Sequence, residues 1–151
     1  LDEPTSGVDP LARRQFWRLI NALAQQGTAV LVTTHYLEEA EQCNRMGFMV
    51  AGEVVVEGSP SEIKANLPGQ LVELRVDHNQ QASQVLKTHW QPWRVAIFGD
   101  RLHVVLDDLD TDIPVLKEIL AGANIQLQSL RPVPFSLEDA FISVVQRSLK
   151  T

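Results

Sequence analysis

The segment 28–34 (TAVLVTT) limits the folds open to this chain more than any other part of it. Its residues are all apolar or β-branched, which is typical of a strand buried on both faces of a parallel sheet. The segment before it predicts a helix that starts at Asp9-Pro10 and stops at Gly27. The apolar face of that helix follows the spacing i, i+3, i+4, i+7 and consists of Phe16, Leu19, Ile20 and Leu23.

Acidic residues near the start of the chain lie where a neighbouring strand would end. The segment 1–10 (LDEPTSGVDP) places Asp2 beside Glu3, with Asp9 six positions after Glu3. A strand, a helix and a strand in this order form a right-handed unit with both strands in one parallel sheet. Because ligands bind at the carboxyl ends of such strands, we expect Asp2 and His35 to face one crevice.

The two adjacent acids suit the hydrolysis of a phosphoanhydride. Phosphoryl transfer to water needs a carboxylate that holds a metal and a neighbouring group that orients or deprotonates the attacking water. Asp2 and Glu3 could fill these two roles. The phosphate-binding loop G-x-x-x-x-G-K-S/T that should lie upstream is missing, since none of the four lysines follows a glycine. We therefore expect the chain to begin inside a domain, with Leu1 ending a strand.

Residues 1 to about 67 resemble the C-terminal part of an ABC-transporter ATPase subunit, and three motifs carry the resemblance. The Asp2-Glu3 pair resembles the end of the Walker B strand, and the segment 6–9 (SGVD) resembles the D-loop. His35 in the segment 33–41 (TTHYLEEAE) resembles the switch histidine. Two departures from the family pattern leave the chemistry untouched: Val8, where leucine is commoner, and Asn44, where aspartate is common.

Two further segments resemble the bacterial exporter branch of the family. The segment 136–141 (SLEDAF) is similar to the tail of ATPase subunits that serve drug, polysaccharide or lipid-linked export. The segment 9–14 (DPLARR), with Phe16-Trp17, is most similar to multidrug-export members. The resemblance thus implies an ATPase subunit that powers the export of a drug or another small hydrophobic or lipid-linked substrate.

The resemblance also implies cofactors and residue roles. ATP and Mg²⁺ would be the cofactors, with Asp2 binding Mg²⁺ through water and Glu3 acting as the general base or water-orienting group. His35 would contact the γ-phosphate, and Asp9 would bridge to a second ATPase subunit. In this family one subunit supplies the phosphate loop of each site and the partner supplies the signature motif. We therefore expect these 151 residues alone to hydrolyse no ATP.

The implied partners are a second ATPase subunit or half and transmembrane permease subunits. They place the protein in the cytoplasm, peripheral on the inner face of the plasma membrane. No apolar stretch approaches the roughly 18 residues that a membrane helix needs, and Cys43, the only cysteine, cannot form an internal disulfide. A net charge of −6 argues against nucleic acid as a partner.

The pattern changes after Pro68-Gly69, where we place the boundary between domains 1–69 and 70–151. Before it, a short acidic helix over 37–43, a hairpin of 48–50 with 54–56, and a helix capped by Ser59 are predicted. Beyond it, the order strand, helix, strand, strand, helix, strand is the ferredoxin-like plan. A final helix starts at Ser136. The predicted class is α/β: a partial P-loop NTPase parallel sheet, then a small ferredoxin-like α+β domain.

Two functions stay open from the residues. The first is a fragment of an exporter ATPase, with residues 70–151 regulating or dimerising it. The second is a non-catalytic binding or dimerisation module, residues 70–151, beside an acidic motif left by truncation. Metal binding has little support there, because His78, His89 and His103 lack a paired ligand spacing. The apolar residues of 16–23 and 30–32 predict self-association or partial disorder within residues 1–58.

Overall fold

The computed structural model describes residues 1–148 as a mixed α/β chain with two antiparallel sheets. The helices are α1 (Pro10–Gln25), α2 (Leu37–Ala40), α3 (Pro60–Ala65), α4 (Asn79–His89), α5 (Leu109–Gly122) and α6 (Leu137–Ser148), with a short 3-10 helix at Pro92–Arg94. The strands are β1 (Met46–Val50), β2 (Glu53–Gly58), β3 (Gln70–Val76), β4 (Val95–Phe98), β5 (Arg101–Leu106) and β6 (Leu127–Pro132).

The predicted buried parallel strand over 28–34 is wrong for the described residues. This segment runs beside residues 1–3, and the two segments share a single parallel bridge between Asp2 and Thr33. The amide of Thr33 donates to the carbonyl of Leu1 at 2.9 Å. Only three residues lie alongside the segment, so no ladder of several bridges forms, and the side chain of Leu31 stays 82% exposed.

Helix α1 starts and ends as predicted, but its buried face is rotated. The side chain of Asp9 caps the helix by accepting from two backbone amides of the first turn. Ile20 is buried as expected, whereas Leu19 is exposed and Trp17, outside the predicted face, is 2% exposed. A rotation by one residue, about 100°, accounts for the difference. The buried face therefore includes the side of the helix that carries Arg13.

The first hairpin and the helix after it follow local sequence signals. Strands β1 and β2 pair antiparallel through the turn around Gly52. Helix α3 begins with a complete capping box, in which Ser59 accepts from the amide of Glu62 and Glu62 accepts from the amide of Ser59. The N-terminal end of this helix therefore needs little help from tertiary packing to form.

Residues 70–132 form a four-stranded antiparallel sheet in the order β4-β5-β3-β6. The predicted order of strands and helices in this region is confirmed. Gly69 directly precedes β3; its φ of 78° is a left-handed conformation, and the nearby carbonyl of Leu106 leaves no space for a Cβ atom. Helices α4 and α5 pack on one face and share a core with the strands: Val72, Leu74, Ala82, Leu86, Val104, Leu116 and Leu120.

Helix α6 lies beyond the last strand and packs back onto the first part of the chain. Leu137 and Ala140 are buried in one cluster with Ala40, Phe48 and Ile63. The 3-10 helix that carries Trp93 also contacts α6. The C-terminal helix therefore connects the four-stranded sheet to the hairpin and to α2, which follows His35 directly.

Candidate functional site

Asp2 lies at the end of segment 28–34, as the order strand, helix, strand leads us to expect. The hydroxyl of Thr33 donates a hydrogen bond to Oδ1 of Asp2. The backbone amide of Glu3 donates to the carbonyl of Thr33 at 2.9 Å. These contacts hold one oxygen of the Asp2 side chain and the backbone after it, while Asp2 as a whole remains exposed. The carboxylate is therefore accessible to a ligand in solution.

Glu3 and His35, two of the predicted site residues, form a side-chain pair. Nδ1 of His35 lies 3.1 Å from Oε1 of Glu3, and about half of each side chain is exposed. Glu3 has a φ of 41°, a left-handed conformation that is unusual for glutamate and often marks a functional site. At this exposure the ion pair contributes little stability. A carboxylate in contact with an imidazole can, however, orient a water molecule or exchange a proton with it.

Asp9 stands apart from this pair. Its Oδ1 atom accepts hydrogen bonds from the amides of Leu11 and Ala12 at 3.0 and 3.1 Å. Within residues 1–148, Asp9 makes no hydrogen bond or ion pair to Asp2, Glu3 or His35. Its observed role is to cap α1. The structure thus brings three of the four predicted site residues together at one edge and leaves Asp9 at the start of the neighbouring helix.

A buried glutamate lies beneath the exposed pair. Glu39 is 2% exposed and receives hydrogen bonds from Thr5 Oγ1 at 2.5 Å and from Thr34 Oγ1 at 2.9 Å. Nε of Arg13 lies 3.4 Å from Oε1 of the same carboxylate. The buried charge of Glu39 is tolerated because these three residues compensate it. The pKa of the Cys43 thiol is raised, first by burial and then by the charge of Glu39.

Two aromatic contacts connect this buried cluster to the exposed pair. The guanidinium carbon of Arg13 lies 4.2 Å from the ring centre of Tyr36. The rings of Tyr36 and His35 are 4.1 Å apart with an interplanar angle of 37°. Cation-π and ring contacts of this kind favour one orientation of each ring. Arg13 therefore contacts both Glu39 and Tyr36, and it supports the side of the site that carries His35.

Sequence reasoning missed three residues of this region: Thr33, Arg13 and Glu39. Glu39 falls within an acidic run in the first turn of α2, where charges usually face solvent. The only signal was spacing, because Glu39 is four positions after His35 and three after Tyr36, which are the separations at which helical side chains meet. Its partners are up to 34 residues away. No local pattern identifies them.

Asp2 and Glu3 supply hard carboxylate oxygens to the exposed site. Such oxygens suit Mg²⁺, which typically takes one or two protein carboxylates together with water and substrate phosphates. Within residues 1–148, no group of three or more His, Cys, Asp or Glu side chains could hold a metal ion by itself.

None of the helices described for this chain is long and apolar enough to span a membrane.

The chain is similar to ATP-binding proteins of ABC transporters, although no protein-family model matches it. The "Probable multidrug ABC transporter ATP-binding protein YbhF" of Escherichia coli (strain K12) is 52% identical over 65 residues, which cover 43% of this chain and 11% of the relative. The "Daunorubicin/doxorubicin resistance ATP-binding protein DrrA" of Streptomyces peucetius is 32% identical over 149 residues, which cover 95% of this chain and 45% of the relative.

A third relative covers almost the whole chain. The "Nod factor export ATP-binding protein I" of Mesorhizobium japonicum is 32% identical over 152 residues, which cover 99% of this chain and 42% of the relative. The similarity to DrrA and to this protein therefore includes the four-stranded sheet. The chain spans less than half the length of each of these relatives.

Proposed function

We propose that this chain, which belongs to the ATP-binding proteins of exporter-type ABC transporters, is the C-terminal part of a subunit that hydrolyses ATP to drive export. One observation carries the proposal. Glu3 and His35 lie 3.1 Å apart, directly beside Asp2 and accessible to solvent. Phosphoryl transfer to water needs a carboxylate that holds a metal and a neighbouring group that orients the water, and this arrangement supports such a role.

Each of the exposed residues has a separate role in this proposal. Glu3 acts as the general base or orients the attacking water, because about half of its side chain is accessible to solvent. His35 contacts the γ-phosphate and, through its 3.1 Å contact, reports the state of that phosphate to Glu3. Asp9 bridges to a second ATPase subunit. Its position as the N-cap of α1 places it on the loop that follows the catalytic pair.

ATP and Mg²⁺ are the proposed cofactors. Asp2 would bind Mg²⁺ through water, and its exposed carboxylate fits the way in which this ion is shared between a protein and substrate phosphates. The ion would neutralise the charge that develops on the phosphate oxygens. Thr33, which donates to Oδ1 of Asp2, orients the carboxylate for this contact.

The fold is proposed to be that of a partial P-loop NTPase domain followed by a ferredoxin-like domain. The parallel bridge at Asp2 supports the first part, because it gives segments 1–3 and 28–34 the direction of neighbouring strands in such a sheet. The strand order β4-β5-β3-β6, with α4 and α5 on one face, supports the second. A boundary near residue 69 is supported by the separate cores around Phe48 and Leu74.

The proposed partners are a second ATPase subunit and transmembrane permease subunits. With them, the protein is peripheral on the cytoplasmic face of the plasma membrane. The exported compound is proposed to be a drug or another small hydrophobic or lipid-linked molecule. The names of the relatives support this class, since they specify multidrug transport, daunorubicin/doxorubicin resistance and Nod factor export.

The proposal is tested by sequencing the DNA upstream of the codon for Leu1 in the same reading frame. These codons are expected to encode G-x-x-x-x-G-K-S/T and then a Leu-Ser-Gly-Gly motif. The encoded polypeptide should hydrolyse ATP with Mg²⁺, and the 151 residues alone should not. A stop codon or an unrelated sequence before Leu1 would overturn the proposal, as would metal-dependent hydrolysis by the 151 residues alone that Glu3→Gln abolishes.

A second candidate function is a binding or dimerisation module formed by residues 70–151. The observation that favours it is the separate core of the four-stranded sheet, whose buried residues all lie between Val72 and Ile125. Residues 70–151 expressed alone should then fold and self-associate, as measured by circular dichroism and light scattering. A folded monomer, or an unfolded chain, would argue against this candidate and leave the ATPase proposal in place.

A further inference from the structure

The carboxylate of Glu39 is the most highly connected buried charge near the proposed site. Its two oxygens accept from Thr5 at 2.5 Å and from Thr34 at 2.9 Å. Arg13 approaches Oε1 to 3.4 Å, and this arginine is only partly exposed. Two hydroxyl donors and one guanidinium, from three separate segments, therefore converge on one side chain that is 2% exposed.

The partners of Glu39 come from the segments that carry the proposed catalytic residues. Thr5 is two positions after Glu3, and Thr34 immediately precedes His35. Thr34 also accepts a hydrogen bond from the amide of Tyr36 at 3.0 Å, which closes a tight turn around His35. One buried carboxylate thus connects the loop after Glu3 to the turn that presents the histidine.

The third partner connects the site to helix α1. Nη2 of Arg13 donates to the carbonyl of Val8 at 3.5 Å, on the loop that leads to Asp9. The same guanidinium packs on the ring of Tyr36 at 4.2 Å. A cation held against Glu39 therefore contacts both sides of the site, and its position depends on the carboxylate.

We propose that Glu39 is a positioning residue that holds the loop after Glu3 and the turn at His35 at a fixed separation. The distance of 3.1 Å between His35 and Glu3 is the result. Glu39 itself touches neither of the two, so it acts through Thr5 and Thr34. The inference rests on the proposed function in one respect only, because that function gives the separation of Glu3 and His35 its role in catalysis.

A carboxylate is the side chain that this position requires. Both hydroxyls donate to it and Arg13 supplies a positive charge, so each oxygen acts only as an acceptor. The amide of a glutamine would turn its NH₂ group towards one of these donors. Removal of one member of a buried, charged network leaves the others unsatisfied and is costly.

The first test compares two substitutions at Thr5, which is 1% exposed. Thr5→Val keeps the shape and removes the hydroxyl, whereas Thr5→Ser keeps the hydroxyl and removes a methyl group. If hydrogen bonding to Glu39 positions the site, Thr5→Val shifts the NMR signals of the His35 ring and Thr5→Ser leaves them in place. If Thr5 serves only packing, Thr5→Ser shifts these signals and Thr5→Val leaves them in place. That result would overturn the proposal.

The second test removes the charge of Glu39 itself. We expect Glu39→Gln to shift the same His35 ring signals and to speed amide exchange at Glu3 by roughly tenfold or more. The control is Glu38→Gln, the same change at the neighbouring exposed residue. Unchanged ring signals in a folded Glu39→Gln variant would overturn the proposal. If Glu39→Gln does not fold, the Thr5 pair decides the question.

A third measurement connects positioning to catalysis. In the longer polypeptide, Glu39→Gln should lower kcat for ATP hydrolysis and leave the KM for ATP unchanged, because the contacts to ATP are made by other groups. A fall in kcat without the NMR shift would contradict positioning. Absence of any ATPase in the unsubstituted polypeptide would sink the proposed function, while the NMR tests of Glu39 would stand independently.

Discussion

Nδ1 of His103 lies 2.6 Å from Oδ1 of Asp139, and this contact joins the four-stranded sheet to helix α6. Asp139 also accepts from the hydroxyl and the amide of Ser136, the residue before α6 begins. Nε2 of the same histidine lies 3.7 Å from Oε2 of Glu73. The position of the C-terminal helix is therefore coupled to the protonation of one largely buried histidine.

The first prediction concerns the pH dependence of stability. Burial opposes the charge of His103, but the carboxylates of Asp139 and Glu73 outweigh it and raise the pKa of His103 above 6.5. Because the pKa of His103 is higher in the folded than in the unfolded state, its protonation stabilises the fold fully below about pH 6.5. This contribution is lost as the pH rises through the folded-state pKa. The free energy of unfolding should therefore fall above pH 6.5.

The variant His103→Gln isolates this effect. We expect its free energy of unfolding, from urea titrations at a series of pH values, to be lower at pH 6 and flatter between pH 6 and 9 than that of the unsubstituted chain. His89→Gln, at an exposed histidine, serves as the control and should keep the original slope. An equal slope in both variants would exclude His103 as the source.

The second prediction concerns acid denaturation through Glu73. Hydrogen bonds from Arg101 and Arg131 outweigh burial and lower the pKa of Glu73 to about 2. A lowered carboxylate pKa stabilises the fold above about pH 4.5, and the contribution is lost as the pH falls towards 2. Glu73→Gln should thus be less stable at pH 7 and lose less stability between pH 4.5 and 2.

The matched control is Glu57→Gln, which breaks an exposed pair with Arg45. Exposed pairs contribute little, so its acid transition should resemble that of the unsubstituted chain. Acid titrations monitored by circular dichroism distinguish the two variants. If the acid transitions of Glu73→Gln and Glu57→Gln coincide, the cluster around Glu73 contributes no more to acid stability than an exposed ion pair does.

The third prediction concerns the packing of α6. Leu137 is 2% exposed and lies in one cluster with Phe48 and Ile63. Leu137→Ala should lower the free energy of unfolding by about 2 to 5 kcal/mol, because it leaves a cavity. Leu11→Ala, at a leucine that is 66% exposed, should change it by less than about 0.5 kcal/mol. Urea denaturation measures both, and equal effects would contradict the described packing.

The fourth prediction concerns self-association. The side chains of Leu31, Leu11 and Leu19 are 82%, 66% and 58% exposed, and exposed apolar surface favours association. Leu31→Ser should therefore lower the apparent mass in light scattering at a given concentration, while Val115→Ser on α5 should not. A monomer with full amide protection across residues 1–58 would contradict this expectation.

Local signals account for the parts of the fold that the sequence predicts well. Ser59 and Glu62 specify a helix start by themselves, and Gly99-Asp100 marks the turn between β4 and β5. The alternation of β3 likewise gives the face that packs under α4 and α5. These elements depend on neighbours in sequence, so their patterns are visible without any knowledge of tertiary contacts.

Residues whose environment is set by distant segments were harder to predict. The alternation of β3 places Glu73 with the solvent-facing residues, yet it is buried because Arg101 and Arg131 cover it from the neighbouring strands. Glu39 is buried for the same reason, with partners on a loop and on α1. Both glutamates look solvated in sequence, since a charge reveals nothing about partners that are many residues away.

The most direct test of the central claim is Mg²⁺-dependent ATP hydrolysis by the full polypeptide of the reading frame that contains these residues. We predict that Glu3→Gln lowers kcat by roughly a hundredfold or more, as expected for loss of a general base or water-orienting group, while Glu38→Gln leaves it unchanged. The claim would be contradicted if the polypeptide did not hydrolyse ATP, or if Glu3→Gln left kcat unchanged.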